Sequence, residues 1–259
     1  MKKLSLALLV STLACTPVQA ENSQTYFTDS DWNISMSQWN DYIGNQDIKW
    51  VSNNGNKSLQ FTLKGGVPGY SPGDDQPQLT GHKFRQRNEL HYKGINNTVK
   101  QTINFKVKIV EGLKGRRGSF FQIHSHVYKT CNKASPPLAL QIHKGRLVAV
   151  TRNSWSAITT YKDIQRTYLS DVKRKEMLGK WQDFTVIKEP IDSNHFKFTI
   201  RSVGLGISQT LPKSYMLTCG KLSMKFGVYR PSKVNVKFPR SFNRINETAV
   251  VQFDNVIVY

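Results

Sequence analysis

Acidic residues, cysteines and long apolar runs are all scarce in this chain. Its 259 residues hold 17 Asp and Glu against 37 Lys and Arg, a formal net charge of +20 at pH 7. Three cysteines occur, Cys15, Cys131 and Cys219, which leaves at most one bridge beyond the first twenty residues. After Ala14 no apolar stretch approaches the roughly 20 residues of a membrane-spanning helix, so no membrane span is expected. Helical periodicity is nearly missing as well. Residues 164–179 form the one segment read as a helix, with its charges as a solvated face. No internal repeat or low-complexity linker breaks the chain.

The first twenty residues differ from the rest. Lys2 and Lys3 precede the apolar run 4–14, and Val18-Gln19-Ala20 puts small residues where signal peptidase cuts. Residues 1–20 are therefore read as a secretory signal peptide. A lipoprotein anchor through Cys15 is the weaker reading, because Thr12 stands where a lipobox has Leu. The protein is expected to be secreted or periplasmic, with 21–259 as one domain, a length ordinary for a single β-sandwich. Without Lys2 and Lys3 the charge is +18, from 35 Lys and Arg against the same 17 acids. Such an excess attracts polyanions. For an exported chain the expected partner is an acidic polysaccharide. Nucleic acid is set aside, because no aromatic platform interleaves the basic residues. A monomer with no metal or cofactor is expected.

What remains is a series of short strands. Residues 49–52 and 58–63 flank Asn53-Asn54-Gly55-Asn56, a turn signal because Asn and Gly tolerate positive φ. Residues 99–110 alternate apolar and polar side chains as a half-buried antiparallel strand does. Residues 138–142 and 146–151 form a second hairpin across His143-Lys144-Gly145, and 181–187, 195–203, 222–229 and 250–258 also have strand composition. The Gly-, Pro- and Asp-rich stretch 65–81, with Tyr70 in its middle, is a loop read equally as a lid over a cleft or as plain surface. Many strands and frequent turns predict an all-β fold, an antiparallel β-sandwich with a concave substrate cleft.

Three of the strands carry chemistry on one face. In S-F-F-Q-I-H-S-H, residues 119–126, period two puts Gln122, His124 and His126 together, with Phe121, Ile123 and Ser125 opposite. Arg85, Arg87, Glu89 and His91 share a face of F-R-Q-R-N-E-L-H. Lys225, Gly227 and Tyr229 share a face of K-F-G-V-Y-R-P, which puts Arg230 on the other side. The three runs are expected to line one cleft in one sheet. Gln122-x-His124-x-His126 offers two imidazoles, but no third ligand is placed to complete a zinc site. His82, His143 and His195 stand outside these patterns and are read as surface residues.

Arg87-Asn88-Glu89-Leu90, Gln122-Ile123-His124 and Lys225-Phe226-Gly227-Val228-Tyr229 together resemble the three signatures of β-jelly-roll polysaccharide lyases, typified by alginate lyases with R-x-E-L, Q-I-H and Y-F-K-x-G-x-Y. The resemblance extends from about Lys57 to the terminal strand 253–259, and its specificity lies in the three motifs jointly. Met224 replaces the aromatic before the lysine, and Arg230-Pro231 follows Tyr229, a form closer to the heparin-lyase-like and glucuronan-lyase-like branches. The resemblance implies a jelly roll and β-elimination of a uronate-containing polysaccharide. A heparin-like sulfated substrate and a non-catalytic binding module for acidic glycans are the alternatives. Related jelly-roll glucanases carry an E-x-D-x-x-E strand for two-carboxylate hydrolysis. Here the three strands hold only Glu89.

β-Elimination removes the C5 proton beside a carboxylate whose charge makes that proton poorly acidic. Arg87 and Gln122 are candidates to neutralise the carboxylate and its enolate-like successor. His124 stands as base or as a further neutraliser, and Tyr229 as general acid or as both acid and base. A phenol ordinarily titrates near ~10 and makes a poor base at neutral pH. A neighbouring cation such as Lys225 or Arg230 favours phenolate. Arg85, Glu89, His91, His126, Lys225, Arg230 and Tyr70 are candidate substrate contacts, with Glu89 read also as an ion-pair partner orienting Arg87. Gly227 is read as permitting close backbone approach. If the strand ending near His126 runs antiparallel to the one starting near Leu222, Cys131 and Cys219 come close enough to bridge.

Overall fold

The computed structural model describes residues 32–34, 46–53, 56–64, 75–76, 82–114, 118–127, 136–152, 164–193, 195–215, 220–234 and 247–259. They form two eight-stranded antiparallel sheets. The first runs β1 (Trp32–Ile34), β5 (His82–Ile95), β15 (Gly220–Val234), β7 (Gly118–Val127), β8 (Leu138–His143), β9 (Arg146–Arg152), β10 (Ile164–Lys173), with β4 (Asp75–Gln76) against β5. The second runs β13 (Ile207–Thr210), β12 (His195–Ser202), β11 (Gln182–Pro190), β6 (Gln101–Glu111), β16 (Ala249–Val258), β3 (Asn56–Leu63), β2 (Gln46–Asn53), with β14 (Ser214–Tyr215) against β12. Strands far apart in sequence become neighbours, β5 beside β15 and β6 beside β16. This is the antiparallel sandwich expected from the strand pattern, in the jelly-roll form that the resemblance implies.

The core lies between the sheets and is built by alternation. On β6, Ile103, Phe105, Val107 and Ile109 turn inward while the intervening residues face out. Phe105 stacks on Phe121 of the first sheet at 4.9 Å and on Phe184 at 5.5 Å, while Phe61 meets Phe226 edge-on at 5.6 Å. Burying each such ring contributes roughly 1.5–3 kcal/mol. Phe121 and Phe226 each precede or follow a candidate site residue, so the ring layer that closes the core also anchors the strand face above it.

Both predicted hairpins are present. Asn53 pairs with Asn56 around a two-residue connection, and Lys144 and Gly145, at φ 51° and 77°, turn β8 into β9. Residues 164–179 differ from expectation. They form edge strand β10 and then a single turn, α1 (Arg174–Met177). Ser170 and Asp171 sit at φ 46° and 54° where the β9–β10 register slips. That bulge brings Leu169 and Val172, three residues apart, to the same core, and a spacing of three imitates a helix in the sequence. Among the described residues no helix is long and apolar enough to cross a membrane.

Candidate active site

The three motif strands are adjacent, with β15 between β5 and β7. Register fixes which residues share the open face. Tyr229 is opposite Arg87 on one side and Ser119 on the other. Gly227 is opposite Glu89. Lys225 lies between His91 and Gln122, and Ser223 pairs with His124. Directly opposed residues of an antiparallel pair project to the same side. Arg87, Glu89, His91, Gln122, His124, Lys225 and Tyr229 therefore occupy one continuous face, as the alternation predicted.

Burial sorts these residues into a floor and a lining. Glu89, His91 and Gln122 are buried, whereas Arg87, His124, Lys225 and Tyr229 are partly exposed. The Arg87 guanidinium carbon lies 5.3 Å from the centre of the Tyr229 ring. Gln122 Nε2 donates to Glu89 Oε1 at 2.6 Å, across the strand that separates them. The Ser223 hydroxyl donates to the His124 carbonyl oxygen at 3.1 Å, tying β15 to β7 at His124.

Gly227 has the local geometry that this packing demands. Its φ is 136°, and a Cβ there would lie 2.3 Å from the Asn88 carbonyl oxygen and 2.9 Å from the Phe61 ring. Between Phe226 and Tyr229 the β15–β7 register slips by one residue. The slip turns Tyr229 toward Ser119 and lets Phe120 and Phe121 both enter the core. Ser119 was not anticipated. It is buried opposite Tyr229 and Gln141, and its hydroxyl has no hydrogen-bond partner among the described residues. Strict alternation would have assigned it to the face of Phe121, and only the bulge reverses that.

Three expectations need correction. Arg230 is not a substrate contact. It is 5% exposed and faces the second sheet, donating through Nη1 to Gln86 Oε1 at 3.2 Å and to the Glu247 carbonyl oxygen at 2.8 Å. Burial holds its pKa below the usual value, a shift that the charge of Glu247 only partly offsets. Gln86 and Asn88 on the same side of β5 donate to the carbonyls of Lys64 and Thr62, both at 3.1 Å, so a polar layer joins the sheets here. Glu89 is not the partner of Arg87. At 3% exposure it pairs, among the described residues, with the Gln122 amide across β15. His143, read as a surface residue, is also buried, at the end of β8.

Arg85 and His126 stand on β5 and β7 opposite Pro231 and Lys221. Tyr70, Cys131, Cys219 and most of the 65–81 loop lie outside the described residues, as do residues 1–20, read as a signal peptide. The register supporting the bridge is present, since Val127 pairs with Gly220 at the ends of antiparallel β7 and β15. Among the described residues no group of three or more His, Cys, Asp or Glu could hold a metal ion.

No family model and no curated protein matches the chain. Solved structures do. An endo-β-1,4-glucuronan lyase from the fungus Trichoderma reesei superposes with TM-score 0.52 at 14% identity, covering 83% of this chain and 87% of that one. Alginate lyase A1-II', of polysaccharide lyase family 7, gives 0.52 at 13% identity, covering 81% and 82%. It has also been solved as a His→Asn, Tyr→Phe double variant in complex with substrate. An alginate lyase of polysaccharide lyase family 14 from Aplysia kurodai gives 0.51 at 14% identity, covering 82% and 86%. The chain thus has the β-jelly-roll fold of the alginate-lyase-like polysaccharide lyases.

Proposed function

We propose that this protein is a polysaccharide lyase that cleaves an acidic, uronate-containing chain by β-elimination. The observation that carries this reading is the shared face: Arg87, Gln122, His124 and Tyr229, from three segments separated by up to 142 residues, project from adjacent strands into one site. A binding module needs cations there but no acid and base. The face supplies both.

Charge distribution supports a polyanionic substrate on this side. On the outer face of the second sheet cations are matched by acids: Lys100 and Lys197 both pair with Glu189, at 2.8 and 2.6 Å, and Lys106 with Asp183 at 3.8 Å. Hydrogen bonds from Lys100 and Lys197 hold Glu189 down at about 2. The strands β5, β15 and β7 instead carry a single acid, Glu89, which is engaged by Gln122.

Arg87 meets the uronate carboxylate, joined by an N–H of Gln122, so that negative charge spreading onto those oxygens as the C5–H bond breaks is stabilised in place. A base, Tyr229 or His124, takes the C5 proton. The C–H electron pair becomes the C4=C5 double bond, the C4–O4 bond breaks, and an acid delivers a proton to O4. Tyr229 suits the acid role and His124 the base or neutralising role. The substrate is alginate-like or glucuronan-like, and the protein acts as a monomer after export and removal of residues 1–20.

Purified protein offered alginate, glucuronan and heparin decides the matter through ultraviolet absorbance of the unsaturated product. Cleavage of a polyuronate is the expected result. Binding without cleavage would replace the lyase by an acidic-glycan binding module, and cleavage of heparin alone would move the substrate to the sulfated class.

A further inference from the structure

Glu89 is a carboxylate on the floor of a site that must receive another carboxylate, 3% exposed and bonded to a neutral amide. By charge alone it opposes substrate binding. Its geometry suggests what it does instead. Glu89 and Gln122 stand on strands separated by β15, so two strand spacings of about 4.8 Å lie between their backbones. Opposite Glu89 on β15 is Gly227, which carries no side chain, and opposite Gln122 is Lys225, one rung further along the same face. Both side chains reach across β15 and meet at 2.6 Å.

A carboxylate accepts and does not donate, so only the NH2 end of the Gln122 amide can face it. One N–H is thereby used. The second N–H and the carbonyl oxygen remain for the site, in a fixed sense. From this geometry we infer that Glu89 is a positioning residue that sets the orientation of Gln122. The substrate then meets one donor, matched to the uronate carboxylate, and one acceptor, matched to a sugar hydroxyl. This rests on the lyase reading of the same face and specifies how the site recognises its sugar.

The inference predicts an unusual split for the isosteric change Glu89→Gln. An amide at 89 can face Gln122 with either end, so the orientation of Gln122 is lost while the opposing charge is removed. On a polyuronate that the parent cleaves, kcat should fall tenfold or more while KM stays level or drops. Simple loss of folded protein would lower the amount of active enzyme without a drop in KM. Because Glu89 acts through Gln122, Glu89→Gln should cost nothing further in a Gln122→Ala background. Glu89→Asp, one methylene too short to reach Gln122 across β15, should lose kcat as Glu89→Gln does, and it replaces Glu89→Gln in the cycle if that variant does not fold. A kcat within twofold of the parent, or an equal loss in the Gln122→Ala background, overturns the inference and leaves the lyase intact. A parent that cleaves no polyuronate overturns both.

Discussion

Tyr229 on β15 stands directly across the ladder from Arg87 on β5, with the guanidinium 5.3 Å from the centre of its ring. A cation over an aromatic face contributes on the order of 0.5–2 kcal/mol, and that contact needs the ring, not the hydroxyl. Tyr229→Phe therefore keeps the packing and removes the one atom able to exchange a proton. Turnover should fall by about 10²- to 10⁴-fold, with equilibrium polysaccharide binding changed only a few-fold. Near-normal kcat in the product-absorbance assay would remove Tyr229 from the chemistry.

Arg87→Ala should behave differently. It deletes the carboxylate clamp and the stacking partner of the phenol together, so ground-state binding and stabilisation of the developing charge are both lost. KM should rise and kcat fall. Arg87→Lys keeps a point charge without the planar fork, so it should recover more of KM than of kcat. A change in kcat alone, with KM intact, would show that Arg87 does not hold the substrate before reaction.

The faces of the motif strands were legible because period two decides direction locally: Gln122 and His124, Arg87 and Glu89, Lys225 and Tyr229 each needed only their own strand. Alternation also placed Arg230 opposite Tyr229, and burial there outweighs the appeal of its charge as a substrate contact. Partnerships across strands were less accessible. Glu89 and Gln122 are 33 residues apart, and no local pattern says that they will meet across a third strand. Bulges were hidden for the same reason. Ser119 changes faces through a register slip against β15, and positive φ at Ser170 and Asp171 made an edge strand imitate a helix.

The pairing of Val127 with Gly220 makes the cysteine expectation concrete. Cys131 follows that pair by four residues and Cys219 precedes it by one. We propose that the two are bridged in the exported protein, closing an 88-residue separation whose entropy contributes on the order of 4 kcal/mol. Intact mass after alkylation, with and without reductant, should show no free thiol until reduction. Two alkylated cysteines in the untreated protein would defeat the bridge.

Gly227→Ala should destabilise the fold as well as the site. At φ 136° a Cβ would lie 2.3 Å from the Asn88 carbonyl oxygen, and the backbone strain alone costs roughly 1–3 kcal/mol. Chemical denaturation should show a lower midpoint with an unchanged slope. An unshifted midpoint would mean that β15 can back away from β5 without loss.

Lys188 yields a pH prediction whose sign follows from burial. It occupies a core-facing position on β11 after Phe184 and Val186, fully buried, with Nζ donating to the carbonyls of Asn96 and Val99, the latter at 2.8 Å, and lying 5.2 Å from the Phe196 ring centre. Desolvation lowers its pKa from 10.5 to about 8. A lysine whose folded pKa lies below its unfolded value is unfavourable when charged, so its penalty is fully present below about pH 8. Between there and about 10.5 the folded state releases the proton while the unfolded chain keeps it, and stability rises with pH. The gain approaches roughly 3 kcal/mol at about 1.4 kcal/mol per pKa unit. Other groups titrate in this window, so the test is the difference between parent and Lys188→Met, which keeps the bulk and loses the charge. The parent's unfolding free energy, measured at intervals across this range, should climb relative to that of Lys188→Met. Parallel pH curves for the two proteins would show that Lys188 stays charged in the fold, held by the Asn96 and Val99 carbonyls despite its burial.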